Sequence, residues 1–129
     1  MIVVDASVLV ELLVGRSNRV AIRAALLRGA PWHAPHLIDA EVTQVLRRLS
    51  LAGIIGTDLA QAAISNLGQL ALTRHPHTPL LNRIWQLRHN LSAYDGTYVA
   101  LAEALGAPLV TRDAKLATAG NHAATVELV

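Results

Sequence analysis

The sequence contains no cysteine and no phenylalanine, and aromatic residues make up only 3% of it. Without cysteine neither a disulfide nor a thiolate metal site can form, so any metal ion must be bound by oxygen or imidazole. The scarcity of aromatic side chains argues against recognition of nucleic-acid bases by stacking. No apolar run approaches the roughly 18 residues of a membrane-spanning helix. No basic leader precedes Asp5, which interrupts the first apolar run. We therefore expect a soluble, cytoplasmic protein.

Charged residues are also few, at 16% of the chain, and 11 Lys+Arg against 9 Asp+Glu leave a formal charge of +2. That excess does not by itself indicate a nucleic-acid partner. Lys115 is the single lysine, and the arginines suit phosphate through their planar guanidinium groups, although a biased genome composition gives the same preference. Hydrophobic residues make up 53% of the 129 residues, which is enough for one domain, residues 1–129, with a buried core.

Short apolar segments alternate with segments of helical periodicity along the chain. The predicted strands are residues 2–4, 32–35, 109–111 and 125–127, with a brief strand near 72–73. The predicted helices run from the N-cap Ser7 to Gly15, from Ser17 or Asn18 to Leu27, and over 38–49, 57–70, 80–89, 92–105 and 114–119. Strands that alternate with helices predict an α/β fold in which a central, mainly parallel sheet is flanked by helices.

Some side chains of these elements have a predicted place. Helical spacing turns Leu59 inward, and Trp32 and Trp85 are expected in the core. Asp39 lies two residues before Glu41 and points away from it on an ideal helix, which makes Asp39 a predicted cap. His75 and His77 have a spacing that zinc tolerates, but their loop context favours a structural turn. Tyr94 and Tyr98 are candidates for the site, the core or a dimer contact.

Four carboxylates fall where the predicted fold collects its ligands. Asp5 follows the first strand, and Asp113 follows the strand at 109–111. Open parallel sheets bind ligands at the carboxyl edge, where loops and helix N-termini meet. Glu41 and Asp95 each lie in the first turn of a predicted helix, near the point where a crossover brings that helix to the sheet. All four are therefore predicted to reach one site.

Each acid taken alone also has a structural interpretation. Asp95 and Ser92 match a capping box. Glu41 suits the dipole at a helix N-terminus, and Asp113 is a candidate cap of the short helix that follows it. Asp5 is harder to explain in this way, because an acid directly after a buried strand is costly unless it is paired or coordinates an ion.

Several carboxylates at one site repel one another and raise each other's pKa unless a cation neutralises them. No lysine or arginine stands immediately beside Asp5, Glu41 or Asp95 in the sequence. A hard divalent cation bound by carboxylates and water removes the repulsion, and Mg²⁺ or Mn²⁺ is the natural candidate. Such a site activates water and stabilises charge on a phosphodiester.

Four segments of the chain resemble the PIN-domain family, and in particular its VapC-type toxins. They are the opening Ile2-Val-Val-Asp-Ala-Ser7, the middle stretch 35–46 around Glu41, the segment 91–103 around Asp95, and the run 105–116 around Asp113. The resemblance covers essentially the whole chain, with the segments in the family's order. It implies a ribonuclease that hydrolyses RNA with a metal-activated water, leaving a 5′-phosphate and a 3′-hydroxyl.

The resemblance also assigns roles to individual residues. Asp5, Glu41, Asp95 and Asp113 would be the catalytic and metal-binding residues, and Ser7 and Thr111 match positions close to the metal or its water ligands. Many relatives carry a further acid or asparagine shortly after the last aspartate, whereas Ala114, Lys115 and Leu116 follow it here. We therefore expect one tightly held ion. The implied partners are a cognate antitoxin that covers the site and a second copy of the chain in a homodimer.

Basic residues supply candidate contacts to the RNA. Arg16, Arg19 and Arg23 lie on one helical stripe and are candidates to follow phosphates, although a solvated charged face is the simpler interpretation. Arg112 and Lys115 flank Asp113 and are candidate phosphate contacts as well.

Other functions remain open at this point. A receiver-like phosphoacceptor domain also gathers acids at a sheet edge, but it needs a lysine at the end of a late strand, and Lys115 lies in a predicted helix. A catalytically silent PIN-like binding module is the main alternative, although retention of the four acids argues against it. A nuclease directed at DNA would use the same site.

Overall fold

The computed structural model describes residues 1–15 and 19–129. In this part of the chain the strands are β1 (Ile2–Val4), β2 (Trp32–Pro35), β3 (Leu72–His75), β4 (Leu109–Thr111) and β5 (Val126–Leu128). The helices are α1 (Ala6–Val14), α2 (Arg19–Arg28), α3 (Leu37–Leu51), α4 (Thr57–Gln69), α5 (Leu81–Gln86), α6 (Ala93–Leu105) and α7 (Ala114–Thr118). A 3-10 turn over Thr78–Leu80 precedes α5.

All of these strands run parallel in one sheet, in the order β3-β2-β1-β4-β5. This confirms the predicted α/β fold with a central parallel sheet. The central strand, β1, pairs with β2 on one side and β4 on the other, so that Val3 lies between His33 and Leu109. Because the strands share one direction, their carboxyl ends lie along one edge, and Asp5 is the first residue beyond the central strand there.

The core surrounds β1, which is buried along its whole length. Val3 and Val4 have no exposed surface, as expected of a parallel strand covered on both faces. Helix α6 packs against β1 and β2 and is buried from Gly96 to Ala102. It ends at Gly106, whose φ of 60° lies in the left-handed region that favours glycine. The elements that carry the predicted acids are therefore fixed by the core.

The predictions for Leu59 and Trp85 are wrong, because both side chains are exposed. Leu59 is 45% exposed, because α4 turns Ala60, Ala63 and Leu67 inward instead. Trp85 is 68% exposed, with the Arg88 guanidinium 4.6 Å from the centre of its ring. The expected helix over 80–89 is shorter in the structure, where α5 covers Leu81–Gln86 after the 3-10 turn and turns Ile84 inward.

The prediction that Trp32 lies in the core is closer to the structure. Trp32 is partly buried, packs against the core, and donates its indole N–H to the carbonyl of Leu26 at 2.8 Å. The last strand lies one residue later than predicted. The predicted caps Ser17 and Asn18 of the second helix lie outside the described residues.

Two bidentate ion pairs connect elements that are distant in sequence. Arg74 on β3 contacts both carboxylate oxygens of Asp39 on α3, at 2.6 and 2.8 Å. Asp39 is therefore an ion-pair partner, and the residue at the N-cap position of α3 is His36. Arg83 on α5 contacts Glu103 on α6 in the same way, at 2.7 and 2.9 Å.

Among the described residues there is no helix of the length and apolar character that a membrane span requires.

Candidate active site

The four predicted acids line one cleft of about 390 Å³ at the carboxyl edge of the sheet. Asp5 comes from the end of β1, Glu41 from α3, Asp95 from α6, and Asp113 from the end of β4. Ser7, Glu11, Arg48, Tyr98 and Arg112 are among the other lining residues. The structure therefore brings together side chains that are up to about a hundred residues apart.

Asp5 is the most firmly held of the four. It is 7% exposed, and it is the N-cap of α1, where its Oδ1 accepts from the Val8 amide at 3.2 Å. The same oxygen accepts from the Ser7 hydroxyl at 2.6 Å, and Oδ2 accepts from the Thr111 hydroxyl at 2.5 Å. The expectation that Ser7 caps this helix is wrong, because α1 begins one residue before it and Asp5 occupies the cap.

Ser7 and Thr111 also connect Asp5 to the loop after β4. The backbone amide of Arg112 donates to the Ser7 hydroxyl at 3.0 Å, and that of Asp113 donates to the Thr111 hydroxyl at 2.9 Å. Asp113 in turn caps α7, since its Oδ1 accepts from the Lys115 amide at 2.9 Å. Its predicted capping role is therefore present together with its position in the cleft.

Glu41 lies in the second turn of α3, not in the first as predicted, because this helix begins at Leu37. The dipole of the helix N-terminus therefore does not account for it. Within the described part of the chain its buried Oε1 has no hydrogen-bond partner, and the same holds for the buried Tyr98 hydroxyl. The Tyr98 hydroxyl nevertheless faces Glu41 and lowers its pKa as a hydrogen-bonding neighbour does, although the two groups are too far apart for a hydrogen bond of ordinary length. A buried carboxylate oxygen without a partner is costly unless something else binds it.

Asp95 lies in the first turn of α6, as predicted, and is half-buried. Its backbone amide donates to the Ser92 hydroxyl at 3.1 Å, which is the backbone half of the expected capping box. Since that contact uses the amide of Asp95, it is compatible with a role for the carboxylate in the cleft.

Burial and mutual repulsion raise the pKa of three of these acids. Burial is the main cause for Asp5, whose hydrogen bonds from Ser7 and Thr111 oppose the shift. Burial, then the negative charges of Asp95 and Asp5, raise the pKa of Glu41. Burial and the charge of Asp113 raise that of Asp95, while Lys115 lowers it. The cleft therefore holds negative charge that a cation would stabilise.

The donor set of this cleft fits a hard divalent cation. Carboxylate oxygens are the ligands that Mg²⁺ and Mn²⁺ prefer, and the unpartnered Oε1 of Glu41 is available to one. In the part of the chain that the structure describes, no three acidic or imidazole side chains already converge closely enough to hold an ion directly. Water bridges or side-chain rotation would complete the coordination, as is usual for Mg²⁺, which keeps several of its waters.

Sequence reasoning missed Glu11, the fifth carboxylate of the cleft. It lies on α1 in an otherwise apolar helix, is 9% exposed, and pairs with Arg112 at 2.9 Å. An acid within an apolar helical run was the available signal. Arg112 is 101 residues away, so this pairing could not be predicted from the sequence.

The predicted RNA-contact residues fall into two groups. Arg112 lines the acidic cleft, and Lys115 is close enough to lower the pKa of Asp95. Arg19 and Arg23 line a different cleft of about 430 Å³, which also contains Leu12 and Leu70. That cleft is slightly larger, but no carboxylate is among the described residues that line it. Arg16 lies outside the described residues.

The two histidines with zinc-like spacing have other partners. His75 lies 2.8 Å from His33, between ring nitrogens, and the His77 ring accepts from the Leu37 amide at 3.0 Å. Both therefore belong to the structural contacts around the start of α3. Tyr98 lines the cleft and is buried, whereas Tyr94 is 65% exposed.

Comparison with known sequences gives one consistent family. The PIN domain profile matches residues 2–121. Ribonuclease VapC1 of Mycobacterium tuberculosis is 44% identical over 128 residues, which are 98% of this chain and 96% of that protein. Ribonuclease VapC9 of the same organism is 44% identical over 129 residues, 100% of this chain and 98% of that one.

Comparison with solved structures gives the same fold. The chain superposes with a TM-score of 0.71 and 19% identity on Mycobacterium tuberculosis VapC20, described as a sarcin–ricin loop cleaving toxin, covering 91% of this chain and 93% of that one. FitAcB from Neisseria gonorrhoeae matches with a TM-score of 0.69 and 20% identity, covering 98% and 96%.

Proposed function

The chain belongs to the PIN-domain family, as a VapC-type member, and from that premise we propose that it is a metal-dependent endoribonuclease. In this proposal it is the toxin of a type II toxin–antitoxin pair and acts in the cytoplasm. Relatives that share 44% identity over nearly the whole chain are named as ribonucleases, which supports the reaction class. The cleft of acidic residues supports the dependence on a metal.

The observation that carries the proposal is the Glu41 carboxylate in its surroundings. One of its oxygens is buried without a partner among the described residues, and Asp5 and Asp95 are close enough to raise its pKa. A structural role does not explain such an arrangement, because a buried carboxylate oxygen without a hydrogen-bond partner destabilises the fold. Binding of a divalent cation explains it.

Asp5, Glu41, Asp95 and Asp113 would hold one Mg²⁺ or Mn²⁺ ion. When bound, such an ion lowers the pKa of its water and stabilises charge on the phosphodiester. The protein positions the first of these ligands: Ser7 and Thr111 each donate a hydrogen bond to Asp5, so its carboxylate cannot rotate freely. Hydrogen bonds from neighbouring side chains to a metal ligand typically fix the orientation of that ligand.

Arg112 and Lys115 are the proposed phosphate contacts of the described cleft. Both lie beside Asp113, and Arg112 is part of the cleft wall. An RNA strand that enters a cleft lined by carboxylates needs compensating positive charge, which these two side chains supply. We assign Arg19 and Arg23 no contact near the reacting bond, since they line the other cleft.

We also propose a cognate antitoxin as the protein partner. Solved structures with this fold include a toxin–antitoxin complex from Klebsiella pneumoniae and VapBC2 from Rickettsia felis bound to promoter DNA. Formation of a homodimer remains part of the proposal and rests on the family resemblance.

An RNA cleavage assay with matched variants tests the proposal. Purified wild type is incubated with total RNA and transfer RNA in Mg²⁺, in Mn²⁺ and in EDTA, beside Asp5→Asn, Asp95→Asn and the control Asp58→Asn. Asp58 is an exposed acid in the first turn of α4. We expect metal-dependent cleavage by wild type and the control, and a loss of about 100-fold or more in the other two variants.

Two results of this assay, and a third that combines it with a Mg²⁺ titration of wild type and Asp5→Asn, would contradict the proposal. Cleavage that persists in EDTA, or in both cleft variants, would exclude the carboxylate–metal mechanism. Absence of cleavage together with metal binding that depends on Asp5 would instead support a catalytically silent binding module.

A further inference from the structure

Glu11 is the one charged side chain of α1, and it is directed into the acidic cleft. Its side chain is 11% exposed, and its Oε2 accepts from Nη1 of Arg112 at 2.9 Å. A Cβ atom at Gly15 would collide with Cδ and Oε1 of Glu11. The glycine therefore leaves the room that the Glu11 side chain occupies.

Arg112 is held at two points. Its backbone amide donates to Ser7, which itself donates to Asp5, and its guanidinium contacts Glu11. The side chain is nevertheless 34% exposed. A guanidinium has five N–H donors, and the contact with Glu11 is the one hydrogen bond that this group makes to the described residues. Arg112 is thus fixed relative to Asp5 while keeping donors for a ligand.

The cleft around Arg112 presents a difficulty to a polyanionic substrate. Five carboxylates line it, namely Asp5, Glu11, Glu41, Asp95 and Asp113. A guanidinium matches the geometry of two phosphate oxygens and forms charge-assisted hydrogen bonds with them. A free arginine side chain loses much rotational freedom when it binds, whereas one already held by an ion pair loses less.

We propose that Glu11 is a positioning residue, which holds the Arg112 guanidinium beside the metal-binding carboxylates so that it binds a phosphate of the RNA strand. This inference rests on the proposed ribonuclease function and adds a residue to it. Glu11 does not touch the substrate or the metal. It acts through Arg112, and its removal releases the guanidinium from the contact that holds it beside the cleft.

The direction in which RNA affinity changes when Glu11 is removed distinguishes this positioning role from simple charge repulsion. Removal of an acid from a cleft that binds RNA should tighten binding, because it removes repulsion. If Glu11 positions Arg112, its removal weakens binding instead. Glu11→Gln discriminates further, since the amide oxygen still accepts a hydrogen bond although the charge is gone. That variant should bind RNA at least as well as wild type.

The experiment is a double-mutant cycle with Glu11→Ala, Arg112→Ala and the combined variant, together with Glu11→Gln and the control Arg88→Ala. Arg88 is an exposed arginine that packs on Trp85. KM and kcat are measured on a short fluorescein-labelled single-stranded RNA of mixed sequence with saturating Mg²⁺. The Kd for the same RNA is measured by anisotropy in EDTA, and the Mg²⁺ midpoint of cleavage and the melting temperature are recorded for every variant.

We expect Arg112→Ala to raise KM and Kd about tenfold, as for the loss of a charge-assisted hydrogen bond. Glu11→Ala should raise them about threefold, and the combined variant should resemble Arg112→Ala, because the two residues act as a unit. Values of kcat and the Mg²⁺ midpoint should change less than about twofold. Glu11→Gln and Arg88→Ala should behave like wild type or bind slightly more tightly.

Additive effects in the cycle, or unchanged or tighter RNA binding by Glu11→Ala, would overturn the inference. A shifted Mg²⁺ midpoint with an unchanged KM would make Glu11 a metal ligand and overturn it as well. If wild type cleaves no RNA, the ribonuclease proposal fails, but the Kd values in EDTA still test the positioning role. Absence of RNA binding by wild type would contradict both the ribonuclease proposal and the positioning role of Glu11.

Discussion

At the scale of single residues, the hydroxyl of Thr111 has the most consequential position in the site. It donates to Asp5 and accepts from the backbone amide of Asp113, so it joins two of the four predicted metal ligands. The residue has no exposed surface, and water cannot replace either contact. Its role is to hold the carboxylate of Asp5 in one orientation and the loop after β4 in one conformation.

Thr111→Val should therefore destabilise the protein, although valine has nearly the same shape. It leaves a buried carboxylate oxygen of Asp5 and the amide of Asp113 without their partner, which costs about 1–3 kcal/mol for a buried group. Urea denaturation measures the change in the free energy of unfolding. Thr73→Val, at an exposed position of β3, is the matched control, and equal stability of the two variants would contradict the interpretation.

At the scale of elements, Arg74 connects three of them. It lies on β3, forms the bidentate ion pair with Asp39 on α3, and donates to the carbonyl of Leu67 on α4 at 2.9 Å. Its side chain is 20% exposed, so these contacts are only partly screened by solvent. Since α3 carries Glu41, the contacts help to place that carboxylate at the cleft.

Arg74→Ala should lower the free energy of unfolding by about 1–2 kcal/mol, the effect of losing hydrogen bonds to a charged group that remains partly solvated. Arg47→Ala, which removes an exposed arginine of α3, should change it by less than about 0.5 kcal/mol. Chemical denaturation of both variants provides the comparison. A difference between them within experimental error would show that the ion pair contributes little.

The elements also show where the sequence was informative. Asp5 and Asp113 were predictable as site residues because each follows a buried parallel strand, and such strands end at a common edge. Glu11 and its partner Arg112 were not, because a pairing over 101 residues depends on how α1 lies against the end of β4. The exposure of Trp85 was not predictable either, because local periodicity placed Ile84 and Trp85 on one stripe, whereas α5 directs only Ile84 into the core.

At the scale of the whole molecule, the small formal charge conceals an uneven distribution. Five of the nine Asp and Glu residues line one cleft. Asp5, Glu41 and Asp95 have pKa values raised above 3.8, 4.5 and 3.8 respectively. Between the ordinary and the raised values, the folded state holds protons that the unfolded state has lost. The stability that these groups contribute therefore falls as pH rises through that window.

Without metal at about pH 7, Glu41→Gln should therefore melt roughly 2–5 °C above wild type, and the difference should shrink as the pH falls through the raised pKa of Glu41. Mg²⁺ should stabilise wild type by about 2.7 kcal/mol at 100 times its Kd, and the variant by less. Thermal unfolding with and without Mg²⁺ measures both effects. Equal melting temperatures at neutral pH, with no response to Mg²⁺, would contradict the electrostatic argument.

The hydrogen bond between Thr111 and Asp5 has a consequence for the timing of synthesis. It joins the residue after the first strand to a strand made 106 residues later. Until Thr111, Arg112 and Asp113 have been synthesised, a nascent chain carries Asp5 without the partners that complete the cleft. An enzyme built in this order would acquire its site only after β4 has been made, and fragments that stop before β4 would lack that site.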